Sequence, residues 1–278
     1  MLADRRQQRG EGGPVESVQS FARGLAVIRS FGQQAPRQSV SEVATATGLS
    51  RATARRLLHT LEGEGLARRS GNDFELTARV LDLGFAFLSS LSVAQLAQPF
   101  LDELSATTGE STSVAVLDDT EVVYVARVQA NRLMTVAIGL GTRFSAYQTS
   151  LGRAQLAWLP DDRVARVWSD SDRRRTTPRT IDTLDDLRAS LAEVRERGWA
   201  LVDQELELGV RSVAAPIRDG SDDVVAAVNV STHAARTSRE DVDEQIVPPL
   251  LRAAEGISQA MAMTGRTGRQ PSGVGAAS

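Results

Sequence analysis

The stretch from Ser39 to Thr77, SVSEVATATGLSRATARRLLHTLEGEGLARRSGNDFELT, decides the fold of the first part of the chain. Ser39 followed by Glu42 has the pattern of a capping box, which predicts the start of a short helix. Gly48 predicts the end of that helix, because glycine tolerates the left-handed backbone conformation found there. Ser50 is a predicted N-cap, so the next helix is expected over about residues 51–62.

The predicted helix over 51–62 has two distinct faces. Apolar residues recur at three- and four-residue steps and predict its buried face: Ala54, Leu57, Leu58 and Leu61. The runs LARR and DFELT then predict two short strands joined by a turn at residues 70–72. Together with an earlier amphipathic run, SVQSFARGLAVIRSFG from Ser17, these elements predict a winged helix-turn-helix.

The basic face of this unit predicts contact with DNA. In a helix-turn-helix, the N-terminal part of the second helix meets base edges in the major groove. Arginine can fork onto guanine there, and arginines on the hairpin have the reach to meet phosphates. The predicted DNA-binding residues are Ser39, Ser50, Arg51, Ala52, Thr53, Arg55, Arg56, His59, Arg68 and Arg69. The alternative is a structural helical bundle whose basic face is only solvated.

Charge is distributed unevenly along the 278 residues. Residues 1–76 contain 11 arginines and 8 acidic residues, whereas residues 77–278 contain 21 arginines and 27 acidic residues. This asymmetry is expected if only the first part meets phosphate. The absence of lysine and cysteine excludes Schiff-base chemistry, thiol catalysis and disulfides, and the presence of only two histidines argues against a multi-histidine metal site.

The length predicts two domains, since one domain commonly has about 100–200 residues. In the second part, strands are predicted for STSVAVLDD, EVVYVARVQ, LMTVAIGLG, WALVDQE, VRSVAAPIRD and VVAAVNVST, with helices between them. Pro248 and Pro249 are expected to disturb the start of the last helix. The predicted organisation is a disordered tail at 1–15, a winged helix-turn-helix at 16–77, a linker helix at 78–92, an α/β domain at 93–264 and a disordered tail at 265–278.

Four separated motifs, in order and spacing, resemble the IclR family of bacterial transcriptional regulators. They are VQSFARGLAVIRSF, SVSEVATATGLSRATARRLLHTLEGEGL, YQTSLGRAQLA and DQELELGVRSVAAPI, and the resemblance covers about Val18 to Met263. VQSFARGL and DQELELGVRS look most like the branch that regulates the β-ketoadipate pathway of aromatic acid breakdown. The resemblance implies an α+β chain with a winged helix-turn-helix, a linker helix and a C-terminal α/β (GAF/PAS-like) effector-binding domain. It also implies a homodimer or homotetramer.

The resemblance carries the family's effector pocket onto three motifs of this chain. YQTSLGRAQLA places Ser150 at a helix start, where free N–H groups and the helix dipole favour an anion. Arg143 is the nearest candidate to pair with a second anionic group, with a solvated loop charge as the alternative. Strand alternation predicts Asn229 and Ser231 on one face. The predicted effector-binding residues are Arg143, Tyr147, Ser150, Leu151, Gly152, Asp203, Glu205, Val210, Ser212, Asn229 and Ser231.

The sequence therefore predicts a DNA-binding regulator whose operator affinity is controlled by a small carboxylic acid from aromatic acid or β-ketoadipate metabolism. A regulator of the same family that responds to pyruvate or glyoxylate is the alternative. An enzyme with an appended DNA-binding domain is disfavoured, because only His233 is available to a catalytic triad in the second part and GLG at 139–141 lacks a third glycine. An architectural DNA-binding protein without an effector would not need so long a second part.

The predicted partners are double-stranded operator DNA, the acid effector and further copies of the chain. No cofactor, metal or membrane partner is predicted. The N-terminus lacks the apolar segment of a signal peptide. No apolar run approaches the roughly 18–20 residues that span a membrane. We therefore expect a cytoplasmic protein.

Overall fold

The computed structural model describes residues 18–32, 34–83, 92–130 and 138–267. They belong to two compact units, residues 1–87 and residues 88–278, and each unit has its own hydrophobic core. The tail predicted at 1–15 and most of the predicted linker helix lie outside the described residues, although residues 80–83 are helical.

The first unit has the elements expected of a winged helix-turn-helix. They are α1 (Gln19–Ser30), β1 (Arg37–Ser39), α2 (Val40–Thr47), α3 (Arg51–Gly63), β2 (Ala67–Ser70) and β3 (Asp73–Leu76). The strands form an antiparallel sheet in the order β1-β3-β2. The hairpin of β2 and β3 is the wing. Strand β1 was not anticipated, because three residues before a helix carry no periodic signal.

Local chemistry sets the helix ends as predicted. The Ser39 hydroxyl accepts from the backbone N–H of Glu42, whose carboxylate accepts from the N–H of Ser39. This is the capping box of α2. Gly48 ends α2 at φ 68°, and the Ser50 hydroxyl caps α3 by accepting from the N–H of Thr53. The predicted inner face of α3 is confirmed, since Ala54, Leu58 and Leu61 are buried and Leu57 packs beside them.

The second unit is an antiparallel sheet with helices on both faces. Its strands are β4 (Ser111–Asp118), β5 (Glu121–Val128), β6 (Arg143–Ser145), β7 (Ala200–Asp203), β8 (Val210–Arg218) and β9 (Val224–His233). Its helices are α4 (Ser92–Thr108), α5 (Ser150–Leu156), α6 (Asp161–Asp170), α7 (Leu184–Arg197), the short α8 (Arg239–Asp241) and α9 (Val247–Thr267). The strand order is β6-β5-β4-β9-β8-β7.

Alternation along the strands divides the core of this unit into two clusters. On one face, Val114 and Val228 pack with Leu101 of α4 and Leu250 of α9. On the other face, Ala115 and Ala227 pack beneath α5, α6 and α7. Strands buried on both sides explain the nearly continuous apolar runs of the sequence. The second face, called the cavity face below, also carries polar side chains.

Three details of the second unit differ from the expectation or add to it. Residues 138–141, the end of the predicted strand LMTVAIGLG, are not in a strand, and residues 131–137 lie outside the described residues. Helix α6 was not anticipated. The last helix reaches Thr267, past the predicted domain end at 264.

The expected disturbance by the two prolines takes a definite form. A π-helical segment, Val242–Ile246, ends one residue before the pair Pro248 and Pro249, with Val247 between them. Proline has no N–H to donate to the preceding turn, which favours such a local change in the hydrogen-bond pattern. Within the described ranges, no helix combines the length and apolar character needed to cross a membrane.

Candidate nucleic-acid interface and effector cavity

A groove of about 460 Å³ crosses the surface of the first unit. It lies between α3, the start of α2 and the wing, and none of its described lining residues is acidic. We call it the recognition groove. It is lined by Ser39, Val40, Ser41, Arg51, Ala52, Arg55, His59, Arg69, Asn72 and Phe74.

Helical spacing brings the cations of α3 into this groove. Arg51, Arg55 and His59 follow one another at four-residue steps and so share one face. The guanidinium of Arg51 donates to the Ser41 hydroxyl, which holds it against α2. His59 is tied locally, because its Nδ1 lies 2.9 Å from Glu62 Oε2 and its ring meets the edge of Phe74. Arg55 is exposed in the groove.

The two arginines predicted on the wing lie on different faces of it. Arg69 lines the recognition groove, and its Nε donates to the Gly71 carbonyl. Arg68 lies on the other face, where its Nε is 2.5 Å from Glu75 Oε1. Arg37 of β1 reaches the other oxygen of Glu75 at 2.6 Å. Hydrogen bonds from Arg37 and then Arg68 hold the pKa of Glu75 below its ordinary value.

Of the remaining predicted DNA-binding residues, some line the recognition groove and others lie outside it. Ala52 and Ser39 line the groove, although the Ser39 hydroxyl also caps α2. Ser50 and Thr53 are engaged with each other at the start of α3, with their hydroxyls 2.9 Å apart. Arg56 is exposed on α3 but does not line the groove.

A cavity of about 140 Å³ opens on the cavity face of the second unit. An apolar cavity of similar size, about 150 Å³, accommodates benzene, so this space suits a ligand with one ring. Helix α5, strands β7 to β9 and the loop after β7 surround it. Its lining comprises Glu110, Tyr124, Ile138, Gln148, Thr149, Ser150, Val202, Leu206, Glu207, Leu208, Val210, Ser212, Asn229, Ser231, Thr232, His233 and Arg236.

A cluster of hydroxyls around one amide forms the polar floor of this cavity. The hydroxyls of Ser150 and Ser212 are 2.7 Å apart. Asn229 Nδ2 donates to the hydroxyls of Ser212 at 2.9 Å and Ser231 at 3.1 Å. Asn229 is only 2% exposed, yet its Oδ1 has no hydrogen-bond partner within the described part of the chain. The structure thus brings together four of the predicted effector residues: Ser150, Ser212, Asn229 and Ser231. The unpaired acceptor among them is Asn229 Oδ1.

The rest of the lining is largely apolar. Tyr124 forms one wall, and burial raises the pKa of its hydroxyl to about 12, so the phenol is neutral at physiological pH. Leu206 and Leu208 lie in the loop after β7, and Val210 begins β8. A neutral apolar wall opposite a polar floor suits a ring that carries polar groups at its ends.

Register explains why Val202 lines the cavity and Asp203 does not. Val202 pairs with Ser212, which is on the cavity face. Asp203 pairs with Arg211, and the two side chains form a salt bridge of 3.0 Å on the opposite side of the sheet. Burial alone would raise the pKa of Asp203, but the hydrogen bond and the charge of Arg211, together with Gln204 and Arg179, outweigh it and the pKa is lowered. The structure therefore does not bring Asp203 into the cavity.

Glu205 has a positioning role in this structure. Its carboxylate forms two hydrogen bonds with the buried guanidinium of Arg153, at 2.8 and 2.5 Å. Its carbonyl accepts from Thr176 and Thr180. These contacts fix the loop that carries Leu206, Glu207 and Leu208 over the cavity. Glu205 itself is not part of the lining.

The other predicted effector residues also lie outside the lining. Arg143, on strand β6, is held by Asp118 and Glu121, whose hydrogen bonds raise its pKa. Leu151 is in the hydrophobic core, and Tyr147 packs edge-on against Trp168.

Gly152 does not line the cavity, but it allows helix α5, which lines the cavity, to pack closely against the turn before it. Its N–H donates to the N-capping Thr149 hydroxyl at 3.0 Å, so this donor of the predicted anion site is occupied. A Cβ at Gly152 would lie 2.0 Å from the carbonyl oxygen of Ala146. Only glycine therefore lets α5 approach the preceding 3-10 turn, Ala146–Gln148.

Sequence reasoning missed several cavity residues. Among them are Gln148, Val202, Leu206 and Arg236, none of which stands in a pattern that indicates ligand binding. Arg127 on β5 does not line the cavity, and its Nη1 donates to the Ser113 hydroxyl at 3.1 Å. Its buried Nε has no partner among the described residues, and burial lowers its pKa.

A winged helix-turn-helix followed by an α/β unit with a small polar cavity defines a one-component DNA-binding regulator. Comparison with protein families agrees with this class. Residues 20–71 match the IclR helix-turn-helix domain, and residues 85–259 match the bacterial transcriptional regulator IclR C-terminal domain. The chain therefore belongs to the IclR family of bacterial transcriptional regulators.

Similar proteins include regulators of aromatic acid catabolism. The Pca regulon regulatory protein of Pseudomonas putida is 39% identical over 246 residues, which cover 88% of this chain and 84% of that protein. The p-hydroxybenzoate hydroxylase transcriptional activator of Acinetobacter baylyi is 35% identical over 86% of this chain and 90% of its own length. A crystal structure of a transcriptional regulator from Rhodococcus sp. RHA1 is 50% identical, covers 89% of this chain and 100% of its own, and superposes with a TM-score of 0.81.

Proposed function

We propose that this protein controls transcription by binding operator DNA with an affinity that a small carboxylic acid alters. The acid belongs to the metabolism of aromatic acids, as an aromatic acid or an intermediate of the β-ketoadipate pathway. The cavity on the second unit carries this proposal, because its size, hydroxyl cluster and apolar wall suit such a ligand. The names of the relatives from Pseudomonas and Acinetobacter support the same class.

The recognition groove is the proposed DNA-binding surface. Arg51, Arg55 and Arg69 present three cations there without an acidic neighbour among the described lining residues. Such cations displace counterions from the phosphates of DNA, and arginine also reads guanine in the major groove. We assign the DNA-contacting roles chiefly to these residues, with Ser39, Ala52 and His59 at the margins.

The effector contacts are assigned to Ser150, Ser212, Asn229 and Ser231, with Val210 in the apolar wall. Acid binding acts through a difference in affinity between two arrangements of the protein, since a ligand shifts an equilibrium only by such a difference. We propose a cytoplasmic homodimer or homotetramer with a DNA-binding domain at 16–77, a linker helix at 78–92 and an effector domain at 93–264.

We also propose that the protein is not an enzyme. The names of its relatives as regulators support this. Saturable turnover of a bound acid by the purified protein would contradict it.

Two substitutions separate the two activities. Arg55→Ala is expected to weaken DNA binding by about 1–3 kcal/mol, the usual value of a direct base contact by arginine, and to leave acid binding intact. Asn229→Leu is expected to weaken acid binding and to spare DNA binding without acid. DNA affinity is measured by fluorescence anisotropy on a fragment selected from a random pool, and acid binding by calorimetry.

The reverse pattern, or equal losses in both assays, would contradict the proposal. Arg166→Ala is a matched control. This arginine is exposed on α6 and pairs only with Asp162 among the described residues, so neither affinity is expected to change.

A further inference from the structure

We propose that residues 206–208 form a lid that closes over the effector cavity when a ligand enters it, with Leu208 passing from solvent onto the ligand. The proposal rests on the proposed function of this cavity and adds the way in which its ligand is enclosed. Three features of the loop between β7 and β8 carry it. They are the fixed ends of the loop, its weakly held middle and the exposure of Leu208.

Both ends of this loop are held in place. Glu205 is buried, and its carboxylate is bonded to the guanidinium of Arg153. At the other end, the N–H of Gly209 donates to Gln204 Oε1 at 3.1 Å, and the Gly209 carbonyl accepts from the N–H of Ala234 at 2.8 Å. Movement of the loop is therefore confined to the three residues between Glu205 and Gly209.

These three residues are weakly held. In the described part of the chain, their one hydrogen bond runs from the N–H of Val210 to the carbonyl of Glu207 at 3.2 Å. A segment with few contacts and exposed backbone has low local stability. Gly209 follows at φ 86°, and glycine has wide backbone freedom. The segment can therefore change its conformation while its ends stay fixed, as a lid requires.

Leu208 is the residue whose surroundings change most on closure. It lines the cavity, yet it is 62% exposed. Val202, Leu206 and Val210 form the apolar part of the lining beside it. A ligand in the cavity offers Leu208 a surface to cover, and the removal of its exposed apolar area from water stabilises the closed form. Exposure of Leu208 without a ligand is the state expected of an open lid.

Closure slows the departure of the ligand more than its entry. The open form admits the ligand, whereas the closed form must open before the ligand leaves. Leu208→Ser is therefore expected to weaken acid binding by about 5- to 30-fold, through loss of the apolar cover. Most of this loss is expected in the dissociation rate, measured by stopped-flow mixing.

The absence of cysteine from the chain allows a direct test of the movement. Leu208→Cys places a single thiol on the lid, and its alkylation by N-ethylmaleimide is followed by mass spectrometry. Calorimetry first establishes which of protocatechuate, 4-hydroxybenzoate and 3-oxoadipate binds. A bound acid is expected to slow alkylation by about tenfold or more, because an open form populated at a tenth or less exposes the thiol for only that fraction of the time.

Leu140 supplies the matched control. It is 63% exposed and does not line the cavity. The alkylation rate of Leu140→Cys is expected to be the same with and without acid. Leu140→Ser is expected to keep the acid affinity of the unmodified protein.

Equal alkylation rates of Leu208→Cys with and without a bound acid, or equal slowing in Leu140→Cys, would overturn the lid. A rate for Leu208→Cys that falls with protein concentration in the absence of acid would also overturn it, because a second copy would then cover Leu208. These outcomes leave the proposed function standing, since acid still binds. Absence of binding by all three acids would overturn the lid and the proposed function together.

Discussion

Arg68 and Arg69 are neighbours in the sequence, but they lie on opposite faces of the wing. Arg69 lines the recognition groove with Arg51 and Arg55, whereas Arg68 is engaged by Glu75. We expect Arg69→Ala to weaken DNA binding and to reduce the slope of log affinity against log salt by about one unit, as for one lost phosphate contact. Arg68→Ala is expected to change the slope by much less.

The measurement is fluorescence anisotropy with one DNA fragment between about 50 and 200 mM salt, where such contacts dominate affinity. Arg68→Ala is the matched control, because it removes the same charge from the same strand. Equal slopes for the two variants would contradict the assignment of Arg69 to the groove.

Residue-level chemistry could be predicted from the sequence where partners are close in the chain. The Ser39–Glu42 capping box and the Ser50 cap depend on residues three positions apart, and both are present. The contact of Arg68 with Glu75 depends on the register of β2 against β3, and the contact of Arg37 with Glu75 depends on the pairing of β1 with β3. Such contacts are decided by tertiary structure, so no local pattern indicates them.

At the scale of elements, the cavity depends on the close approach of α5 to the turn before it. Gly152→Ala would place a Cβ 2.0 Å from a backbone oxygen. Overpacking of this kind costs about 1–3 kcal/mol or more, which for a domain of this size lowers the melting temperature by about 2–4 °C per kcal/mol. We expect Gly152→Ala to lower the melting temperature of the purified protein by about 2–12 °C.

Thermal unfolding followed by circular dichroism measures this effect. Gly139→Ala is the control, because among the described residues other than its chain neighbours no atom lies within 4 Å of a Cβ built at Gly139. Its melting temperature is expected to stay close to that of the unmodified protein. A Gly152→Ala protein as stable as this control would show that α5 has room to move.

Most elements of the second unit could be predicted, because apolar strand runs and amphipathic helices carry clear periods. The site could be predicted only in part. Asn229 and Ser231 share a face by simple alternation, and the structure agrees. Choosing Val202 rather than Asp203 requires the register of β7 against β8, which pairs Val202 with Ser212.

At the scale of the whole molecule, composition already separates a basic first part from an acidic second part. The fold assigns these parts to a recognition groove and an effector cavity in two compact units. Control of one by the other is a coupling free energy, which is typically about 1–3 kcal/mol and changes an affinity about 5- to 150-fold. The sign of this coupling free energy depends on which of two arrangements of the protein binds the acid more tightly. Local patterns in the sequence carry no information about that difference.

The most direct test is the dissociation constant for a selected DNA fragment, measured with and without saturating 4-hydroxybenzoate. We predict a change of about 5- to 150-fold in either direction, and an equal reciprocal effect of DNA on acid affinity, as linkage requires. We also predict that the change is lost in Asn229→Leu. If calorimetry shows that the acid binds while the dissociation constant for DNA stays the same, the claim that the cavity controls the DNA-binding unit is wrong.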